Sequence, residues 1–409
     1  MPPRLPGELT DRITWLVSDY RTLLSCALVC QEWLPASRTA LLDCVRLNRK
    51  PGYDSFIKDV LGSEHMYPYL RTTRAMWIDQ RLARGSLVLT EQPWSYRTIH
   101  EFSGHFPKLE HLRLSDIDWN SPKHWQPHPS VHLAIRGFTS LRKLELMWCQ
   151  LPSWHTLRRL VMALSPSLTF LTLLNVSCPS PHGEAPAFVY CATASLHKFE
   201  LIGVPSIFSN QGLEPFLRWL SYSCPSNSLR RLVFSEPKLS TEYGGILTRI
   251  VPGLVELCII ISSASLRIFP FHELRSLRVL EVGMRGVGSY WKDLSHLLPD
   301  IPSRIRSIAL HVLFKRRPPD MARDDESLSD CPPIEANGLG LLDPVLQGDN
   351  FQSLERVEFK ARVIEMVQRK LPSVVSRGIQ VAVSLDLSGS FESYAVPFLL
   401  DKAAKSVTS

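Results

Sequence analysis

Nowhere do these 409 residues hold an apolar run of about 18, and the opening MPPRLPGELT has no apolar core of the kind a secretory leader uses. Neither secretion nor membrane spanning is therefore expected. Paired CxxC spacing is missing as well. The nine cysteines are odd in number, and Cys26, Cys30 and Cys258 stand among apolar neighbours, where a reduced thiol behaves as a small hydrophobe. That usage suits a reducing compartment, the cytoplasm, the nucleus or both, where the sequon Asn175-Val176-Ser177 would be idle. No long Lys/Arg run accompanies the net charge of +7, so nucleic acid is not an expected partner.

Catalytic signatures are absent too. The chain has no Gly-rich phosphate loop, no Gly-x-Ser-x-Gly elbow and no nucleophile with an evident neighbouring base, so it is not read as an enzyme. His124, His128 and His132 have the four-residue spacing of ligands on a helix, but Pro122, Pro127 and Pro129 would break that helix. No metal or cofactor is expected.

What the chain does have is a phrase, Leu-x-x-Leu-x-Leu. It begins at Leu109, Leu141, Leu168, Leu196, Leu229, Leu254, Leu277, Ile305 and Leu354, with conservative replacements in several copies. Start-to-start spacings run from roughly 23 to 33 residues, apart from a wider last step. Between the phrases lie segments with helical spacing, from Ser153, Gly212, Ser240, Ser289, Leu341 and Val363. Pro166, Pro225, Pro252, Pro299 and Pro372 stand just past helix ends, and Asp343 before Pro344 reads as an N-cap followed by the first helical residue. Less regular strands are expected around Leu42, Val45 and Leu47, in the run ending at Ile78, and in GIQVAVSL from Gly378; YDSFIKDVL and SYRTIHEF supply helices. A short strand followed by a helix that returns the chain to a parallel neighbour predicts an α/β fold of stacked units.

Ahead of the repeats, Leu5, Leu9, Ile13, Leu16 and Val17 recur at helical steps behind Pro6. Ser18 and Asp19 can cap a second helix carrying Leu23, Leu24, Ala27 and Leu28, and Trp33, Leu34 and Pro35 follow. Three helices this short expose more apolar surface than they can cover among themselves, which predicts a partner.

The spacing Leu5-Pro6, Glu8-Leu9, Ile13, Leu16, Leu23-Leu24, Val29-Cys30 and Trp33 resembles the F-box family, with Thr14-Trp15 departing from its usual apolar pair. The resemblance implies a three-helix segment that docks on the Skp adaptor of a cullin-RING ubiquitin ligase through Leu5, Pro6, Ile13, Leu23, Val29 and Trp33. Leu28 and Leu34 are instead expected to turn toward the first repeat. The repeats in turn resemble leucine-rich repeats, although the Asn that follows the strand in that family is missing from most copies and only Asn175 lies nearby. Together these resemblances imply an F-box over residues 1–40 and a leucine-rich-repeat βα solenoid over 41–400, an irregular arc with its parallel sheet on the concave face. A polar tail, 401–409, follows.

If the leucines point inward, alternate strand residues face out. The central outward position falls on Arg113, Glu145, Thr172, Glu200, Val233, Cys258, Glu281, Ala309 and Glu358, a candidate target-binding surface with an apolar middle and charged flanks. The segment 315–333 has the composition of a disordered insert, with Ser327 and Ser329 as candidate phosphorylation sites. Two functions remain open: a substrate-recognition adaptor of a Skp–cullin–F-box ligase acting on an unidentified protein, or a binding scaffold whose N-terminal helices only cap the solenoid.

Overall fold

The computed structural model describes residues 6–17, 19–80, 94–119, 131–164, 167–178, 196–202, 213–224, 228–235, 241–285, 290–313, 336–360 and 370–383. Leu5, the histidines at 124 and 128, residues 363–369 of the helix expected from Val363, the insert 315–333 and the tail lie outside them, as does the side chain of His132. The chain falls into two compact units, Met1–Leu196 with Pro205–Trp219, and His197–Val204 with Leu220–Ser409.

The first unit opens with three helices, α1 (Gly7–Leu16), α2 (Tyr20–Val29) and α3 (Leu34–Asp43). Asp19 caps α2, its carboxylate accepting from the Thr22 backbone N–H at 2.7 Å. Pro35 stands in the first turn of α3, where its missing N–H costs nothing. Strand β1 (Cys44–Leu47) begins on the residue after α3 ends, so no linker separates the helices from the sheet.

In this unit β1 is followed by β2 (Ala75–Asp79), β3 (His111–Ser115), β4 (Lys143–Met147) and β5 (Phe170–Leu174), paired in chain order and all parallel. Register places Val45, Met76, Leu112, Leu144 and Leu171 on one line, and Leu47, Ile78, Leu114, Leu146 and Leu173 on another. All ten are buried. Behind β1 to β3 packs an aromatic cluster in which Tyr53 and Trp94 lie 4.8 Å apart and Phe102 meets Phe56 and Phe106 edge-on. The helix Trp154–Leu164 buries Trp154, Leu157, Leu160, Val161 and Leu164, the stripe its spacing dictates.

The second unit contains β6 (Lys198–Ile202), β7 (Arg231–Ser235), β8 (Glu256–Ser262), β9 (Val279–Arg285), β10 (Ser307–Leu313), β11 (Arg356–Lys360) and β12 (Gln380–Val383), again parallel and in chain order. Helices Thr241–Ile250 and Tyr290–Leu297 and shorter turns connect them. The expected N-cap role of Asp343 for its own helix is corrected here. Asp343 lies inside the helix Leu342–Val345, and its carboxylate accepts from the backbone N–H groups of Ser373 and Val374 at 3.2–3.3 Å, satisfying the first turn of the helix Pro372–Ser376.

In all nine copies of the phrase, the strand starts two residues after the first leucine. That leading residue is buried throughout. Just before most strands from β3 to β11, one carbonyl of the preceding repeat accepts two successive N–H groups of the next. Arg142 and Lys143 both donate to Glu110 O, Thr169 and Phe170 to Arg142 O, Val255 and Glu256 to Arg230 O, and Arg306 and Ser307 to Arg278 O. Immediately after β3, β4 and β5 the chain passes through left-handed backbone at Asp116, Trp148 and Asn175, with φ of 51–55°. The loop backbone then re-pairs with its neighbour, Asp116 N–H to Met147 O and Trp148 N–H to Leu174 O, at 2.8 and 2.7 Å. The fold is thus mixed α/β with parallel strands in sequential order, an arrangement compatible with a βα solenoid.

Two adjacent glycines in the helix Thr241–Ile250 test its packing. A Cβ on Gly244 would lie 2.9 Å from the carbonyl oxygen of Ile268, whereas one on Gly245 would meet nothing within 4 Å. Gly244→Ala should therefore destabilise the protein by about 1–3 kcal/mol through overpacking. Gly245→Ala should be neutral or stabilise by up to about 1 kcal/mol through helix propensity. Urea midpoints of the two variants decide it; equal shifts would contradict the close approach at Gly244.

Candidate protein-interaction surfaces

Helix α1 is inverted. Its buried residues are Thr10 and Thr14, while Leu9, Ile13 and Leu16 are 46, 39 and 79% exposed. The inward threonines satisfy their hydroxyls within the helix, Thr14 Oγ1 donating to Asp11 O at 2.9 Å and lying 3.2 Å from Thr10 O. The outward stripe follows the 3.6-residue period, so the apolar face of α1 is the one turned to solvent. On α2, Leu23 is buried, and Tyr20, Leu24, Leu28 and Val29 are exposed, Leu28 to 87%. The expectation that Leu28 turns inward is overturned. At 100° per residue it stands about 140° round the helix from Leu23, and α2 has one face against α3.

Of the residues that the F-box resemblance implies, Pro6, Ile13 and Val29 are exposed, Trp33 is half-buried and Leu23 is a core residue. Leu34 is half-buried. Sequence reasoning passed over Leu16, Tyr20 and Leu28 as surface residues. A helical wheel anchored on Thr10 and Thr14 would have found Leu16, but nothing in the sequence says that the threonine side is the buried one.

Trp15, the departure from the family spacing, has a role of its own. The Arg74 guanidinium lies 5.1 Å from its ring centroid while gripping the Asp43 carboxylate through two bonds of 2.6 and 3.0 Å. Helix α1, the end of α3 and the approach to β2 are joined through this arginine.

The second surface is the outward side of the strands. Register confirms that the central positions align: Arg113, Glu145 and Thr172 in the first unit, and Glu200, Val233, Cys258, Glu281, Ala309 and Glu358 in the second. Alignment does not bring exposure. Glu145, Glu200, Val233, Cys258 and Glu281 are buried, because residues on neighbouring parallel strands crowd one another, so they shape the face from beneath rather than present surface. Arg113, Thr172, Ala309 and Glu358 are half-buried. In the second unit the charges pair locally, Lys198 with Glu200 at 2.7 Å, Arg231 with Glu256 at 3.3 Å and Arg356 with Glu358 at 3.0 Å.

In the first unit the aligned row extends two strands further than the phrase revealed, through Trp77 to Arg46. Both guanidiniums stack on the indole, Arg46 at 4.1 Å and Arg113 at 4.6 Å from its centroid. Next to them Glu145 forms ion pairs with Arg113 and Lys143, and His111 Nε2 lies 3.3 Å from the same carboxylate. Burial pushes the Glu145 carboxyl up, but His111, Lys143 and Arg113 outweigh it and hold it well below the usual carboxylate range. Burial also pushes the Cys149 thiol up to about 12, which makes it an inert core residue. Among the described residues no group of three metal-ligating side chains converges, and no helix is long and apolar enough to cross a membrane.

Because the folded-state value of Glu145 is depressed, its contribution to stability is present above its ordinary value of 4.5 and is lost as pH falls from there toward the folded value. Glu145→Gln should cost about 2–3 kcal/mol at neutral pH, less than a fully buried pair would, since Arg113 and Lys143 keep 16 and 25% exposure. That deficit should shrink below about pH 4.5, where the wild-type carboxylate begins to lose its advantage. Thermal unfolding of both proteins across the acid range checks this, and a deficit independent of pH would contradict the ion cluster. No protein-family model matches the chain, and no curated protein resembles it closely enough to count as a relative.

Proposed function

We propose that the chain is the substrate-recognition subunit of a Skp–cullin–F-box ubiquitin ligase, with α1 to α3 as an F-box that holds the Skp adaptor and a leucine-rich-repeat solenoid that holds a target protein. The observation that carries this reading is the inversion of α1. A helix that buries two threonines and leaves Leu9, Ile13 and Leu16 in solvent, as α2 leaves Tyr20, Leu24, Leu28 and Val29, gains from a partner that covers those side chains. Complete burial of one such leucine is worth about 1.5–3 kcal/mol. The direct passage from Asp43 at the end of α3 to Cys44 at the start of β1 supports the same reading, since an adaptor subunit has to present its target in a fixed orientation. The chain's own contribution to ubiquitin transfer would be proximity, with chemistry carried by other subunits.

Co-expression with a Skp adaptor tests it. Leu16→Asp and Leu28→Asp should abolish co-purification while leaving the melting temperature unchanged, because both side chains are already in water. Leu23→Ala, by contrast, should cost about 2–5 kcal/mol of stability as a core truncation. An intact, folded chain that captures no adaptor would overturn the proposal and leave the scaffold reading.

A further inference from the structure

The outward face of β1 to β4 carries a row of cations ordered in an unusual way. Arg46 is exposed, stacks on Trp77 and has no carboxylate partner among the described residues. On the other face of the same indole, Arg113 is bound to Glu145 through Nε, one of the five N–H donors of a guanidinium. Lys143 stands on the next strand, and beyond it in register is Phe170, 38% exposed. The carboxylate that organises these groups, Glu145, is itself only 6% exposed, so it orients the cations from below and offers little negative charge to an approaching ligand. The other acid on the outward side of these strands, Asp79, sits at the far end of β2 and has an interaction of its own.

From this we infer that Arg46, Trp77, Arg113 and Lys143 receive an acidic, extended segment of the target protein, its carboxylates bound by the two stacked arginines. The inference rests on the reading of the repeats as a target-binding surface and specifies what they take. Stacking fixes each guanidinium before the ligand arrives, so less side-chain entropy is lost when a carboxylate binds. Spacing adds a constraint. Arg46 and Arg113 are two strands apart, about 9–10 Å, and a polyproline II segment crossing the strands rises about 3.1 Å per residue with about three residues per turn, so acidic residues about three apart point the same way and meet both. Phe170 gives the segment an apolar contact at one end.

The full-length chain, purified without an adaptor, should be presented to an array of short peptides graded in Glu and Asp content and spacing, with Gln/Asn-matched and Ser-phosphorylated counterparts. Capture should rise with carboxylate number and be strongest at a spacing of about three residues. Arg46→Glu should reduce it at least about tenfold, as the loss of a charge-assisted contact and its replacement by repulsion requires. Lys143→Gln should weaken it less, and Arg159→Glu, on the exposed side of the helix Trp154–Leu164, should leave it unchanged. Capture indifferent to carboxylates, confined to phosphorylated peptides, or unaffected by Arg46→Glu in a folded protein would overturn the inference. The ligase reading fails separately: a chain that binds acidic peptides, with Leu28→Asp doing so equally, but captures no Skp adaptor keeps this site and loses that function.

Discussion

A carbonyl that accepts twice, found in most repeats, sets the terms for the rest. By accepting two successive N–H groups of the next repeat just ahead of its strand, Glu110, Arg142, Arg230, Val255, Arg278 and Arg306 fix where each strand begins relative to its neighbour. With that register set, the first, fourth and sixth residues of the phrase must fall on the same side in every copy, and a single polar intruder on those lines would lie against two apolar neighbours. Parallel strands buried on their helix side need continuous apolar lines of this kind. The leucines are therefore the response to the backbone constraint, and the helices between them serve to return the chain to the start of the next strand.

The same geometry explains what the sequence made legible. A period-two pattern inside a recurring phrase identifies the inward side without any knowledge of neighbours, and each of the nine strands begins at the same offset within it. Burial on the outward side is another matter, since it depends on what adjacent strands carry. Val233 has an outward position and no exposure at all, and Glu145 is nearly as covered because His111, Arg113 and Lys143 close over it. The first two repeats carry too few leucines to advertise the row that continues through Trp77 and Arg46.

The N-terminal helices were harder to read for a different reason. Helical spacing gives two faces, and composition names the apolar one as the inside; α1 does the reverse, sending Thr10 and Thr14 inward. A rule that ranks faces by hydrophobicity assumes a chain that folds to satisfy itself. In these helices the ranking is inverted, and Leu23 and Leu28 of one helix stand in opposite environments. Asp343 teaches a smaller version of the point. Its position before Pro344 looked like a cap for its own helix, yet its carboxylate serves the turn at Ser373, thirty residues on, a relation that local sequence does not contain.

Arg74 sits where three segments meet. Its backbone N–H donates to Asp43 O, its guanidinium holds the Asp43 carboxylate and its charge faces Trp15. Arg74 thus ties α1 to the end of α3 and to the approach to β2. The α1 helix, too short to persist alone in water, borrows its lifetime from the sheet. Helix α3 passes into β1 with no intervening residue, so the helices take their orientation from the strands behind them.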